Sequence, residues 1–140
     1  MEIAAAAAAA LMGVAGLVHA FWAVGGVWPG SDEQSLAKAV VGPKQESMPG
    51  MAACFAVTAL LSAAAGIVVA RAELLDLPGP GWIVTTGSWV VAGALAARGL
   101  VGLVTSLRAG TGQTYHRLDL RIYSPLCLVI AALCLPAALS

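Results

Sequence analysis

The chain has 140 residues, 60% of them hydrophobic and only 10% charged, with a mean hydropathy of +0.90 and seven basic residues balanced by seven acidic ones. A soluble domain carries about 25% charged residues, and a chain this short has too much surface to hide so much apolar side chain in one water-soluble core. The composition therefore asks for lipid as solvent and for one domain, and it offers neither a basic face for nucleic acid nor a charge run for a disordered tail.

Four apolar runs set the expected architecture, an all-α integral membrane bundle of four transmembrane helices. The expected spans are residues 3–28, 51–70, 82–107 and 122–139. At about 1.5 Å of rise per residue they reach roughly 27–39 Å, against a hydrocarbon core of about 30 Å. Helices satisfy every backbone polar group internally, so they are the form such runs take in lipid. The first run begins Met1-Glu2 and lacks the early Lys or Arg of a signal peptide. Its Ala4–Ala10 tract is expected to pack on a neighbouring helix, because small residues let backbones approach.

Between the first two runs, Ser31 is placed to cap a short helix through Leu36–Val41, with Gln34 completing a capping box and Gly42-Pro43 stopping it. Pro78-Gly79-Pro80-Gly81 marks a tight turn between the second and third runs. Four spans put Lys38, Lys44, Arg108, Arg117 and Arg121 on one side and Arg71 alone on the other. By the positive-inside rule the first side is cytoplasmic, so the protein is expected in the cell membrane with both termini outside.

Cys54, Cys127 and Cys134 all fall in apolar runs and form no CxxC, so they read as small buried hydrophobes. No metal spacing is present, and neither a metal nor another cofactor is expected.

Two ionisable groups interrupt the spans. Arg98 lies ten residues before Arg108, about 15 Å inside the third span, too deep for snorkelling alone. Its helical face, Gly87, Val91, Ala94, Arg98, Gly102 and Thr105, consists mostly of small residues and is expected to turn into the bundle. His19 lies nine residues before Trp28, about 13 Å from the same end, beside Gly16, Trp22 and Gly26. Both are cations or neutral, so the partner must be an acid. Asp119, the only acid in the last third of the chain, is the best placed. Two readings stay open: an ion pair that fixes helix packing, or a ligand or catalytic site. Ser124-Pro125 reads as a helix start, and Tyr115 and Tyr123 suit the headgroup level. The segment around Leu118 and Ile122 fits an interfacial helix or an extended strand equally well.

His19-Ala20-Phe21-Trp22-Ala23-Val24-Gly25-Gly26, Arg98, and Leu118-Asp119-Leu120-Arg121-Ile122-Tyr123-Ser124-Pro125-Leu126-Cys127 together resemble the bacterial membrane family called domain of unknown function 3995. The resemblance covers nearly the whole chain. It implies four spans and no established activity.

The candidate site residues are His19, Trp22, Arg98, Asp119 and Tyr123. The first reading is a non-enzymatic membrane module binding an anionic lipid, a small amphipathic ligand or a partner protein near the cytoplasmic leaflet. The second is a small intramembrane enzyme, with His19 as acid–base and Arg98 as anion clamp. A transporter acting as a dimer is a third, weaker reading, since the two halves show no clear internal similarity; a homo-oligomer is among the expected partners.

Overall fold

The computed structural model describes residues 1–140 and is all-helical. The helices are α1 (Glu2–Ala23), α2 (Glu33–Val40), α3 (Met51–Arg71), α4 (Gly81–Ala109), α5 (Thr114–Leu118) and α6 (Ser124–Leu139). A π-helical turn, Asp119–Tyr123, joins α5 to α6. Helices α1, α3, α4 and the continuous Thr114–Leu139 rod are each long and apolar enough to cross a bilayer, as in a multi-pass membrane protein.

Two boundaries differ from the expected spans. Helix α1 stops at Ala23 rather than Trp28, because Gly25 takes a positive φ of 96°, which breaks the helical path. His19 is therefore one turn from the end of its helix and not deep within it. The last span begins at Thr114 rather than residue 122, so Asp119 lies within a helical rod and not in a loop. The expected choice between an interfacial helix and an extended strand thus resolves to helix.

The four long helices form a ring in which α1 packs on α3, α3 on α4, α4 on α6 and α6 on α1. Their shared core draws on Ala5, Ala8 and Met12 of α1, Val68 near the end of α3, Ala92 of α4, and Ile130, Cys134 and Ala137 of α6. All of these lie toward the end that carries the chain termini. In lipid, helices gain little from burying apolar surface against each other, so close packing of small residues must hold this end together. Toward the opposite end, which carries α2 and α5, the close approaches are within helix pairs. Thr58 Oγ1 donates to Gly16 O at 2.9 Å between α3 and α1. Between α4 and α6, a Cβ added at Gly99 would come 2.6 Å from Leu128 Cγ.

Helix α2 is held by a capping box built one residue later than expected. Asp32, not Ser31, is the cap: its Oδ1 accepts the Ser35 N–H at 2.7 Å, and Ser35 Oγ accepts the Asp32 N–H at 3.0 Å. A carboxylate is the stronger acceptor for a helix N-terminus. The backbone N–H of Ser35, and then its hydroxyl, hold the Asp32 carboxyl below its ordinary value of 3.8. A lowered carboxyl pKa stabilises the fold above the unfolded value and ceases to do so as pH falls through the folded value. The cap is therefore intact at neutral pH. Leu36, Ala37 and Ala39 are buried and turn α2 onto the bundle, where it meets α5.

Candidate functional site

The buried stripe of α4 is Ser88, Ala92, Gly99, Gly102 and Ser106. The expected stripe through Ala94 and Arg98 is thus rotated by about one residue. Arg98 lies on the flank of that stripe. It follows Gly87 by eleven residues, about 20° around the helix, and Gly87 faces Ile67 of α3. Its guanidinium runs past Gly102 toward the loop end. Nη1 occupies the space a Gly102 side chain would need.

There it meets Asp119. Arg98 Nη2 donates to Asp119 Oδ1 at 3.0 Å, with the carboxylate fully buried and the Arg98 side chain 42% exposed. Two hydroxyls complete the set of donors to the carboxylate. Ser124 Oγ donates to Oδ1 at 2.9 Å and Ser106 Oγ donates to Oδ2 at 2.7 Å. Arg98 Nη1 reaches Ser124 Oγ more loosely, at 3.4 Å. Each serine has one proton and gives it to the carboxylate. His116 Nδ1, 3.2 Å from Ser106 Oγ, must then be the donor of that bond, which leaves Nε2 as the free ring nitrogen.

The π turn makes this assembly. Residues five apart on an α-helix point about 140° away from each other. Asp119 and Ser124 are five apart and hydrogen-bonded because the turn between them is widened, with the Ser124 N–H donating to Asp119 O. Pro125 follows at once. It has no N–H to continue the ladder, and its ring would clash with the carbonyl four residues back in a regular α-helix. Ser124 therefore spends its hydroxyl on Asp119, not on the helix cap expected for it.

The other candidates lie elsewhere. His19 and Trp22 sit edge to face, with ring centroids 5.0 Å apart. His19 Nδ1 is 2.7 Å from Ala15 O, and Trp22 Nε1 donates to Trp28 O at 2.8 Å. Both line a cleft between α1, α2 and α3 to which neither Arg98 nor Asp119 contributes. The equal depth expected for His19 and Arg98 rested on an α1 reaching Trp28, and it fails with the earlier helix end. Tyr123 points away from the ion pair. Its hydroxyl donates to Ala39 O at 3.0 Å and ties α2 to the π turn.

Sequence reasoning missed Ser106, His116 and Ser124 as members of the site. His116 and Asp119 are three apart, so they share a helix face, and that spacing was the available signal. Nothing in the sequence marks Ser106 among the other hydroxyls of α4. No group of three or more His, Cys, Asp or Glu side chains is arranged to hold a metal ion.

Fold and site together define a small bundle of four helices long and apolar enough to cross a membrane, with a fully buried carboxylate satisfied by two serines and an arginine of one such helix. Within that class, the chain belongs to the family described as Protein of unknown function (DUF3995), which matches residues 4–134. No curated protein and no solved structure matches the chain.

Proposed function

We propose that this protein is a membrane binding module that holds the anionic headgroup of an amphipathic ligand at Arg98, near the cytoplasmic leaflet. The observation that supports the reading is the asymmetry of the ion pair. Asp119 is buried and its oxygens are filled by Arg98, Ser106 and Ser124. Arg98 spends two of its five N–H groups on that assembly; the others have no partner in the protein, and the side chain is 42% exposed. The carboxylate thus acts as an anchor that aims the guanidinium outward. A planar fork of free donors in an apolar setting suits a phosphate or carboxylate attached to an apolar tail.

The pair itself is neutral, so long-range attraction must come from the surroundings. Lys38, Lys44, Arg108, Arg117 and Arg121 share the loop end with Asp32, Glu33, Glu46 and Asp119. The five cations favour an anionic lipid surface and, by the positive-inside rule, support a cytoplasmic location for that end. An alkaline phosphatase fusion at the C-terminus should therefore be active, and one after Gly110 inactive. The reverse pattern would move the site to the outer face.

Lipid retained through purification should be enriched in an anionic species. Arg98→Gln should remove the enrichment, and His19→Gln should leave it in place. Unchanged lipid composition in Arg98→Gln would refute the reading. An enzymatic reading would need a titrating group beside Arg98, and His116 is the one in that hydrogen-bond chain. A turnover lost in His116→Gln while anionic lipid stays bound would favour catalysis.

A further inference from the structure

The cleft at the loop end of α1 is a second site, distinct from the ion pair. Nine residues line it, seven of them hydrophobic, including Trp22, Val40, Ala53, Cys54 and Val57, and this half-open cleft has room for about 160 Å³. An apolar cavity of about 150 Å³ is large enough to take up benzene.

Its polar groups decide what else the ligand carries. The Trp22 indole N–H is committed to Trp28 O, and the Cys54 thiol to Pro49 O at 3.7 Å. That leaves His19. Its Nδ1 lies 2.7 Å from the carbonyl of Ala15, and a carbonyl can only accept. Nδ1 therefore carries the proton, and Nε2 of the neutral ring is a lone-pair acceptor with no partner in the protein. An apolar slot of one-ring size with a single nitrogen acceptor selects a ring bearing one hydroxyl. His19 and Trp22 pack edge to face on each other, with centroids 5.0 Å apart, and together form one aromatic wall of the slot, against which a ligand ring can lie.

We infer that this cleft binds a phenol-type ring, with its hydroxyl donating to His19 Nε2 and its body held between α1, α2 and α3. The cleft lies in the last turn of α1 and the first turns of α3, so the hydroxyl of a membrane-dissolved phenol would sit near headgroup level.

The test uses the whole protein in detergent with histidine ring nitrogens labelled with ¹⁵N. The probe is p-cresol, with toluene as the same ring without the hydroxyl, at a pH above the ordinary histidine range. His19 and His116 are the only two histidines, so the spectrum is simple. Added p-cresol should shift His19 Nε2 saturably and leave His116 unmoved. Toluene should bind about five- to tenfold more weakly, the ratio one net hydrogen bond supplies. His19→Phe should bring p-cresol down to the toluene affinity while toluene binding persists, which separates a lost acceptor from a lost fold. Ala53→Leu, which fills the slot, should weaken both probes. Arg98→Gln should leave the p-cresol titration unchanged, so this site is judged apart from the anion site. A shift that never saturates, equal shifts of both histidines, or equal affinity for toluene would overturn the inference.

Discussion

Arg98→Leu should lower the stability of the protein in detergent by about 3 kcal/mol, the low end of the range of about 3–5 kcal/mol for breaking a buried ion pair. The low end applies because the Arg98 side chain is 42% exposed whereas Asp119 is fully buried. The loss arises mainly at Asp119, whose charge stays in the bundle without its cation. Ser106 and Ser124 still donate to it and soften the effect. Asp119→Leu should cost less, since the released, already part-exposed guanidinium can snorkel toward the loop end and both hydroxyls can bond to helix carbonyls. The double variant Arg98→Leu with Asp119→Leu should be more stable than the sum of the single losses. A denaturation series on all four proteins measures the coupling. Strict additivity would show that the two side chains, although 3.0 Å apart, act independently.

Gly102→Ala should rank with that change although it adds only one methyl. A Cβ at residue 102 would overlap Ser124 Oγ and Arg98 Nη1 and lie 2.9 Å from Asp119 Oδ2. None of these atoms can give way without releasing a hydrogen bond of the assembly. Overpacking by itself costs about 1–3 kcal/mol, and displaced bonds at the carboxylate add to it. Gly93→Ala is the matched control on the same helix, because its Cβ would meet nothing within 4 Å. It should be neutral or slightly stabilising, since Ala is the better helix former. Thermal melts of the two variants should differ clearly. Equal melting temperatures would mean that the space beside Gly102 is not needed.

The four-helix architecture was legible in the sequence because each span is a long, predominantly apolar run, broken only by His19 and Arg98, and lipid leaves such runs no alternative to helix. The ends of the spans were less so. Trp22 to Trp28 stays apolar, yet the chain leaves the helix after Ala23, and only Gly25-Gly26 gave a local sign. The partnership of Arg98 with Asp119 could be argued by elimination, because Asp119 is the only acid in the last third of the chain. How the carboxylate is satisfied could not be argued that way. Ser124 reaches Asp119 only because the turn between them is π-helical, and five-residue spacing predicts the opposite in a regular helix. The grouping of His19 with Arg98 failed for a related reason: depth along a helix was inferred from an assumed end, and rotation around it was not fixed at all.

The central claim is that Asp119 aims Arg98 at an anion, and the Arg98 side chain itself reports on this most directly. With arginine Nε labelled with ¹⁵N, the protein in a neutral detergent is titrated with octyl phosphate, and with octanol as the uncharged control. Arg98 is assigned by its loss in Arg98→Gln. The account predicts a saturable shift of the Arg98 Nε–H with octyl phosphate, none with octanol, and a weakened response in Asp119→Asn, whose guanidinium is no longer pinned. An Arg98 resonance that ignores octyl phosphate while the surface arginines respond would contradict it, and would leave the pair as a device for helix packing alone.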